Sequence, residues 1–297
     1  GAASAVADPR MARVLATPVR VEITRVVPRD RQVAPATAPV LESALLRAVA
    51  DGQVSAEAFW AEAARAGTPL VEADGAQPPL ADGERLVTFL WRGAQRNVRL
   101  VGGPSNDHDW LQRLGSTDIW YRSYRVPASL RLSYRLAPDV PDFDGPPQER
   151  RRALLATAQT DPLNPKTLPA QPLDRFNGDS LLELPGAPRS PWLDERPGAP
   201  RGTVQAHRLA SRHLGNERDI HVYRSAGWRD GAEGQALVVL FDADRYLDDI
   251  PLPTILDNLV ADGRLPPVAA IFIANPSSET RAADPPIRAW PASWPRN

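Results

Sequence analysis

Nucleophilic hydrolysis in this chain would have to start from serine rather than cysteine, because the 297 residues include no cysteine. A serine nucleophile held on a sharp strand-to-helix turn is typically written G-x-S-x-G, and an acid and then a histidine follow it along the chain. No serine of this sequence stands in that pattern. The sequence therefore predicts no catalytic nucleophile, acid or base within residues 1–297.

The other residues that could do chemistry are histidines and paired carboxylates. His207 and His213 are six residues apart on strand or loop, which does not place them on one metal-binding face, and we interpret all four histidines as solvated or core residues. Asp248 and Asp249 are neighbours whose side chains diverge, so we interpret them as a solvated pair. The sequence predicts no metal site and no resident cofactor. The four histidines are His108, His207, His213 and His221.

Composition and charge exclude several classes of partner. The formal net charge is −1 and the isoelectric point is about 6.5, so nothing favours nucleic acid as a ligand. The longest apolar runs, such as Ala236–Phe241 and Val268–Ala274, are far shorter than the ~20 residues that cross a bilayer. We expect no nucleic acid and no membrane as partners, and the sequence does not predict an oligomeric state.

The first half of the chain has helical patterns followed by strand patterns. Apolar spacing predicts helices over Pro39–Asp51 and Ser55–Ala66, the second with Ser55 as N-cap and Gly67 as a stop. Short strands are then predicted, and the alternation of apolar and polar residues in the last two of them indicates antiparallel strands with one wet face. Several short strands with turns between them predict a small β-sandwich. These strands are Arg85–Arg92, Asn97–Val101, Asp118–Val126 and Ser129–Leu136. A short basic helix over Glu149–Gln159 and a Pro-rich linker over Gln171–Pro200 follow.

The second half has a different pattern, typical of an α/β sheet. Thr203–Ser211 and Arg218–Arg224 read as a hairpin. Gln235–Asp242 and Pro267–Ala274 are continuous apolar runs, typical of strands buried on both faces, and the helix Leu252–Asp262 lies between them. Such a strand–helix–strand unit is a right-handed parallel crossover in nearly all cases. We expect a mostly parallel sheet after residue 202.

Seven segments in a fixed order resemble the enterochelin (enterobactin) esterase family, from about Arg85 to Arg281. They are FLWRG (Phe89–Gly93), DIWYRSYRVP (Asp118–Pro127), LRLSYRLAPD (Leu130–Asp139), DPLNP (Asp161–Pro165), LGNERDIHVY (Leu214–Tyr223), LVVLFDADRY (Leu237–Tyr246) and GRLPPVAAIFI (Gly263–Ile273). The resemblance implies a β-sandwich (Ig-like) N-terminal domain followed by an α/β-hydrolase domain. It also implies hydrolysis of the ester bonds of ferric catecholate siderophores in the cytoplasm, with iron present only as part of the substrate.

The domain boundaries follow from these patterns and the resemblance. We expect an N-terminal helical or irregular extension over 1–80, the β-sandwich over 81–165, a Pro-rich linker over 166–201 and an incomplete α/β-hydrolase domain over 202–297. The hydrolase domain is expected to be incomplete because the resemblance places the nucleophile beyond Asn297. We also expect Pro267–Ala274 to lack its outer neighbour strand. The segment Ala282–Asn297 reads either as a frameshifted or truncated end or as a divergent tail.

The resemblance points to two groups of site residues. The loop Asp242–Ile250 corresponds to the loop that supplies one oxyanion N–H donor, so Asp242, Ala243 and Asp244 are oxyanion-loop candidates. The family usually has glycine at the second of these positions, and alanine loses easy access to positive φ. The alternative for Asp242 is a plain strand-end turn residue. The substrate-binding candidates are Arg92, Tyr246 and Arg281.

Two alternatives remain open at this level. Arg92, beside Trp91, can contact an anionic aromatic ligand through charge and stacking, or it can simply close the rim of the sandwich. For the whole chain, an esterase without its catalytic Ser/Asp/His region competes with a non-catalytic siderophore- or protein-binding module.

Overall fold

A computed structural model describes residues 41–213 and 215–275. The expectations for residues 1–40 and 276–297, including the start of the first helix, Arg281 and the tail Ala282–Asn297, lie outside the described residues. The helices are α1 (Ala44–Ala50), α2 (Ala56–Ala66), α3 (Pro147–Thr157) and α4 (Leu252–Ala261), and a π-helical turn covers Arg245–Asp249. Between residues 41 and 275, no helix is long and apolar enough to cross a membrane.

In the part of the chain that the structure describes, strands are the main elements and form three sheets. Those of the first half are β1 (Leu70–Glu72), β2 (Glu84–Arg92), β3 (Val98–Gly102), β4 (Asp107–Trp110), β5 (Gln112–Arg113), β6 (Ile119–Pro127), β7 (Arg131–Pro138), β8 (Thr167–Leu168) and β9 (Asp179–Glu183). Those of the second half are β10 (Thr203–Ser211), β11 (Asn216–Arg224), β12 (Ala236–Phe241) and β13 (Val268–Ile273).

Serine caps begin both N-terminal helices. The Ser55 side chain accepts the Ala58 N–H at 3.1 Å, and Gly67 ends α2 with φ of 80°, as the sequence predicts. Residues 41–43, which the sequence predicts to be helical, are not: the Ser43 side chain accepts the Leu46 N–H at 3.2 Å and caps a helix that begins at Ala44. An N-cap hydroxyl satisfies one of the helix's unpaired donors, which favours Ser43 over an upstream start.

Two antiparallel sheets of the first half enclose one hydrophobic core. Their strand orders are β1-β2-β6-β5 and β4-β3-β7-β9-β8. Apolar side chains of both sheets meet in the same interior, where each is less than a tenth exposed. These residues include Val87, Phe89, Val98, Leu100, Trp120, Val126, Tyr134, Leu136 and Leu182.

Two strands lie in the range that the sequence analysis interprets as a Pro-rich linker. β9 pairs antiparallel with β7, from Arg131 opposite Glu183 to Tyr134 opposite Ser180, and β8 pairs with β9. Ser180 and Leu182 are buried while their neighbours are more exposed, so β9 has the burial alternation of a strand. Because prolines flank this five-residue strand, apolar periodicity alone does not predict it. The strand is defined by its long-range pairing with β7.

The third sheet is mixed rather than mostly parallel, so that expectation is wrong. Its order is β10-β11-β13-β12. The predicted hairpin of β10 and β11 is present, and β11 is also antiparallel to β13. Only the pair of β12 and β13 is parallel among the described strands, as the expected crossover through α4 requires.

The two apolar strands of this sheet differ in burial. β13 lies between β11 and β12 and is buried along nearly all its length, so it has neighbours on both sides and the expectation of an unpaired outer edge is wrong for it. Among the described strands, β12 lies at one edge of the sheet and β10 at the other. Leu237 and Val239 are 62% and 49% exposed, because the described residues cover only the other face of β12. The expectation that β12 is buried on both faces is therefore wrong.

A buried carboxylate ties the first half together behind the sheets. The Asp161 Oδ2 atom accepts the hydroxyls of Thr68 at 2.7 Å and Tyr134 at 2.8 Å, and its Oδ1 atom accepts the Leu163 N–H at 3.0 Å. The Asp161 N–H donates to the Ser180 hydroxyl at 2.8 Å. Asp161 is 4% exposed, and burial raises its pKa despite these hydrogen bonds. The α2–β1 connection, β7 and β9 are thereby joined at one side chain.

Removal of this carboxylate is expected to destabilise the fold strongly. Asp161→Ala leaves the Thr68 and Tyr134 hydroxyls without their acceptor in the interior, and each buried unsatisfied donor costs about 1–3 kcal/mol. We expect a loss of about 2–5 kcal/mol in the free energy of unfolding, measured by urea denaturation. Asp174→Ala is the matched control, because Asp174 accepts the Phe176 and Asn177 N–H groups in an exposed turn. Equal losses in the two variants would contradict the role of Asp161.

The raised pKa of Asp161 also predicts the sign of a pH effect. From its ordinary pKa of 3.8 up to the raised folded-state pKa, the native state binds more protons than the unfolded state, so stability falls as pH rises. Asp161→Asn has no such group. We expect the stability of the wild type relative to Asp161→Asn to decrease from acidic towards neutral pH, as measured by urea midpoints. A difference that grows with pH would refute this assignment.

Candidate functional site

The strongest candidate site lies where the parallel strands β12 and β13 end. In α/β sheets ligands bind outside the carboxyl ends of the strands, so the loop after β12 and the residues after β13 occupy the expected edge. Asp242 follows β12 directly and has a left-handed backbone with φ of 59°. The chain then turns into a short helical segment that includes the π-helical turn. The sharp turn at Asp242 starts the candidate loop, which we define as residues 242–250.

The turn is held by both the backbone and the side chain of Asp242. Its carbonyl oxygen accepts the Arg245 N–H at 3.0 Å and the Tyr246 N–H at 3.4 Å. Its Oδ1 atom accepts the Asn275 side-chain amide at 2.5 Å, which links the residues just after β12 and β13. The sequence reasoning did not identify Asn275, whose only signal is its place two residues after β13.

Ala243 fits its position without the conformational freedom of glycine. The positive φ belongs to Asp242, and aspartate tolerates this region better than most residues. Ala243 is fully buried in the core under the third sheet, with Leu256 and Phe272 in the same cluster. The concern that alanine disrupts the loop geometry at residue 243 is therefore wrong, and its small side chain suits the packing.

The start of the helical segment has backbone N–H groups of the kind that can act as oxyanion donors. The first N–H groups of a helical turn have no acceptor within the helix, and in this loop they belong to Ala243 and Asp244. Donors of this kind stabilise negative charge that develops on a carbonyl oxygen. Tyr246, the substrate-binding candidate nearest to these amides in sequence, is half-buried and packs against the same core.

An ion pair connects the candidate loop to the sheets of the first half. The Arg245 Nη1 atom lies 3.6 Å from Asp179 Oδ2, and the Arg135 Nε atom lies 3.3 Å from Asp179 Oδ1. Asp179 belongs to β9 and Arg135 to β7. Sequence reasoning missed all three residues, because Asp179 sat within the segment interpreted as a linker and nothing in the sequence pairs it with residue 245.

Arg92 lies in a different neighbourhood from the candidate loop. Its Nε atom donates to Asp118 Oδ2 at 2.8 Å, its Nη2 atom lies 3.4 Å from Glu57 Oε2, and its guanidinium lies 5.6 Å from the centre of the Trp60 ring. The hydrogen bond to Asp118 raises the pKa of Arg92. Burial opposes ionisation of Asp118, but hydrogen bonds from Trp60 and Arg92 leave its pKa lowered. One cation therefore faces two carboxylates, and the structure does not bring Arg92 together with Tyr246.

A second concavity lies near the opposite end of the third sheet. It has a volume of about 270 Å³, and Asp257 is its one charged lining residue. The Asp257 Oδ1 atom accepts the Tyr223 hydroxyl at 2.6 Å and the Gly202 N–H at 2.8 Å, so this oxygen already has two donors. The remaining lining residues are Pro200, Ala226, Gly227, Val260 and Ala261. This apolar hollow offers less chemistry than the loop after β12.

No arrangement of ligands for a metal ion is found in the part of the chain that the structure describes. Within 41–213 and 215–275, His, Asp and Glu side chains do not gather in groups of three or more at metal-binding distances. Asp248 and Asp249, the adjacent pair, lie at the end of the π-helical turn and are not part of such a group.

The sequence of this chain is similar to those of known proteins. The family model "Enterochelin esterase, N-terminal" matches residues 86–193. An iron(III) enterobactin esterase of Yersinia enterocolitica is 31% identical over 259 residues, covering 76% of this chain and 70% of that protein.

Two solved structures have a similar fold. The ferric enterobactin esterase of Salmonella typhimurium matches with a TM-score of 0.52 and 26% identity, over 77% of this chain and 60% of that one. The Shigella flexneri enterobactin esterase, solved in the presence of enterobactin, matches with a TM-score of 0.50, the same identity of 26% and the same coverages of 77% and 60%. The chain thus spans about three-fifths of the length of these two solved proteins.

The backbone of Asp242 provides a test of the candidate loop. Asp242→Ala loses the hydrogen bond to Asn275 and places alanine in the left-handed region, so we expect a loss of about 1–3 kcal/mol in unfolding free energy. Asp242→Asn keeps an acceptor oxygen and tolerates the left-handed region, so its loss should stay below about 1 kcal/mol. Thermal and urea denaturation of both variants measure this difference. Equal losses for the two substitutions would contradict the proposed basis of the turn.

Proposed function

This chain belongs to the enterochelin (enterobactin) esterase family, and on that premise we propose that it acts in the hydrolysis of ester bonds in ferric catecholate siderophores. The observation that carries the proposal is the sharp turn after β12. It starts a helical segment next to the carboxyl end of a parallel strand pair, and the first N–H groups of that segment are those of Ala243 and Asp244. Because Ala243 is fully buried and Asp244 is exposed, the Asp244 amide is the proposed donor to a ligand. An ester carbonyl at this edge would find there one of the two donors that an oxyanion hole needs.

The proposal extends to the finer architecture. The two antiparallel sheets of the first half would form an Ig-like β-sandwich, which their shared core supports. The third sheet would be the beginning of an α/β-hydrolase domain, which the parallel β12–α4–β13 unit supports. We place the units at 81–165 and 202–297, with the N-terminal extension over 1–80 and the connecting segment over 166–201, although β8 and β9 of that segment pair with the first unit.

The proposed ligand is anionic and aromatic, and it brings its own iron. No resident cofactor is proposed, and a cytoplasmic location is proposed on the family resemblance alone. Tyr246 is the proposed contact beside the oxyanion-loop residues. Arg281, outside the described residues, is proposed as a second contact. Arg92 remains a proposed contact as well, although its pairing with Asp118 and Glu57 supports a structural role at the rim of the sandwich.

The step that this sequence does not supply is nucleophilic attack. No G-x-S-x-G motif occurs in residues 1–297, so the proposed contribution of these residues is ligand binding and one half of the oxyanion hole. The same observation favours a second candidate function, a non-catalytic siderophore- or protein-binding module. A G-x-S-x-G encoded in the next open frame of the gene after Arg281 would favour the esterase, and its absence would favour the binding module.

The proposal predicts binding without turnover for residues 1–297. Ferric enterobactin should quench tryptophan fluorescence in a saturable manner, and chromatography should find no hydrolysis products above the buffer rate. Tyr246→Ala should weaken binding by about threefold to tenfold, the range that loss of an aromatic contact gives. Arg92→Gln tests the alternative contact in the same assay.

The matched control is Arg208→Gln on the β10–β11 hairpin. Arg208 is exposed on β10, at the opposite edge of the third sheet from β12, and pairs with Glu217 at 2.8 Å and Asp219 at 3.6 Å, so its loss removes one positive charge that is not paired with the candidate loop. Absence of saturable binding by the wild type would overturn the proposal. Hydrolysis that saturates with substrate would instead reveal a nucleophile outside the G-x-S-x-G pattern.

A further inference from the structure

We propose that Asp179, a residue of the first half of the chain, is a positioning residue for the candidate loop of residues 242–250. It acts through Arg245, so the first unit sets the geometry of a loop that belongs to the third sheet. The inference deepens the proposed function and rests on it for its consequence in binding, but the positioning itself can be measured without any ligand.

The carboxylate of Asp179 is anchored on its own side of the contact. The residue lies in β9, opposite Leu168 of β8, and its neighbour Ser180 is fully buried and bonded to the Asp161 N–H. The Arg135 guanidinium, from the adjacent strand β7, lies 3.3 Å from the Asp179 Oδ1 atom. Strand pairing and Arg135 together hold the carboxylate in place and leave its Oδ2 atom for Arg245.

On the other side of the contact, Arg245 stands at the start of the π-helical turn. Its backbone carbonyl accepts the Ile250 N–H at 2.8 Å, and its own N–H donates to the Asp242 carbonyl at 3.0 Å. The residue is therefore bonded to both ends of the candidate loop. A restraint on the Arg245 side chain acts directly on the segment that carries the amides of Ala243 and Asp244.

The charges of the loop explain why an external carboxylate is needed. Residues 242–250 contain one cation, Arg245, and four carboxylates. Without Asp179, the Arg245 guanidinium would be drawn towards these local carboxylates, because partly screened attraction at short range remains significant. The contact with Asp179 holds it away from them, against the first unit. The four carboxylates belong to Asp242, Asp244, Asp248 and Asp249.

For Asp179→Asn, the change in ligand affinity expected from loss of positioning is opposite to the change expected from charge alone. Asp179→Asn removes a negative charge, which by charge alone would tighten the binding of an anionic ferric catecholate. Loss of positioning should instead weaken the binding of ferric enterobactin by about threefold to fivefold, as expected for an ion pair that is partly exposed. Arg245→Gln should have a similar effect, and the double variant should be no weaker than either single variant, because both act through one contact.

Three further measurements separate positioning from a general loss of stability. Asp179→Glu keeps the charge and should retain most of the affinity, while the unfolding midpoints of the Asn and Glu variants should agree. Glu217→Gln removes the same charge from the exposed β10–β11 hairpin and is the matched control. Hydrogen exchange of the amides of residues 245–250 should speed up about threefold to fivefold in Asp179→Asn and stay unchanged in Glu217→Gln.

The outcomes are distinguishable. Unchanged exchange of the loop amides in Asp179→Asn would overturn the positioning role whether or not the ligand binds. Unchanged or tighter binding by Asp179→Asn would overturn its consequence for recognition. Failure of the wild type to bind ferric enterobactin would overturn the proposed function, and the hydrogen-exchange result would then decide the positioning role alone.

Discussion

The buried carboxylate of Asp161 is the constraint on which the first half of the molecule depends. A charged or polar group in a core is costly unless it is fully hydrogen-bonded, and Asp161 meets this condition with partners far apart in sequence. Thr68 comes from the connection after α2, Tyr134 from β7 and Ser180 from β9. The bonds can form only when these elements are in register, so the cost of leaving them unmade favours one arrangement of the sheets.

That arrangement also determines what faces the third sheet. Once β9 is paired with β7, Asp179 and Arg135 are neighbours on β9 and β7, and Arg245 of the candidate loop meets them. A second set of contacts joins the connecting segment of residues 166–201 to Asp262, the residue that follows α4. The Asp262 carboxylate accepts the Trp192 indole N–H at 2.9 Å and pairs with Arg196 at 2.6 Å. The candidate loop of the second half is therefore in contact with the first half of the chain through the Arg245–Asp179 ion pair.

In the third sheet, the packing of β12 and β13 positions the start of the candidate loop. β13 is central and buried, and it supplies the rigid neighbour against which β12 ends at Asp242. Along β12, Leu237 and Val239 present apolar side chains on the face that the described residues leave open. Asp242 then reverses the chain through a left-handed backbone, and the fully buried Ala243 fixes the start of the helical segment in the core.

The sequence by itself determined what depends on neighbours along the chain. The strand at 84–92 was predicted to within one residue, and period-2 alternation predicted the strand at 131–138 to within two residues. Ser55 and Gly67 marked the ends of a helix, and the strand–helix–strand pattern predicted the parallel pair of β12 and β13. The loop after β12 was also recognisable, through its likeness to a family. Tertiary structure alone decided the strand status of β9, the edge position of β12 and the contact between Asp179 and Arg245. These features depend on pairing between residues far apart in sequence, and a local pattern of apolar and polar residues carries no information about which strand or which charge will be the partner.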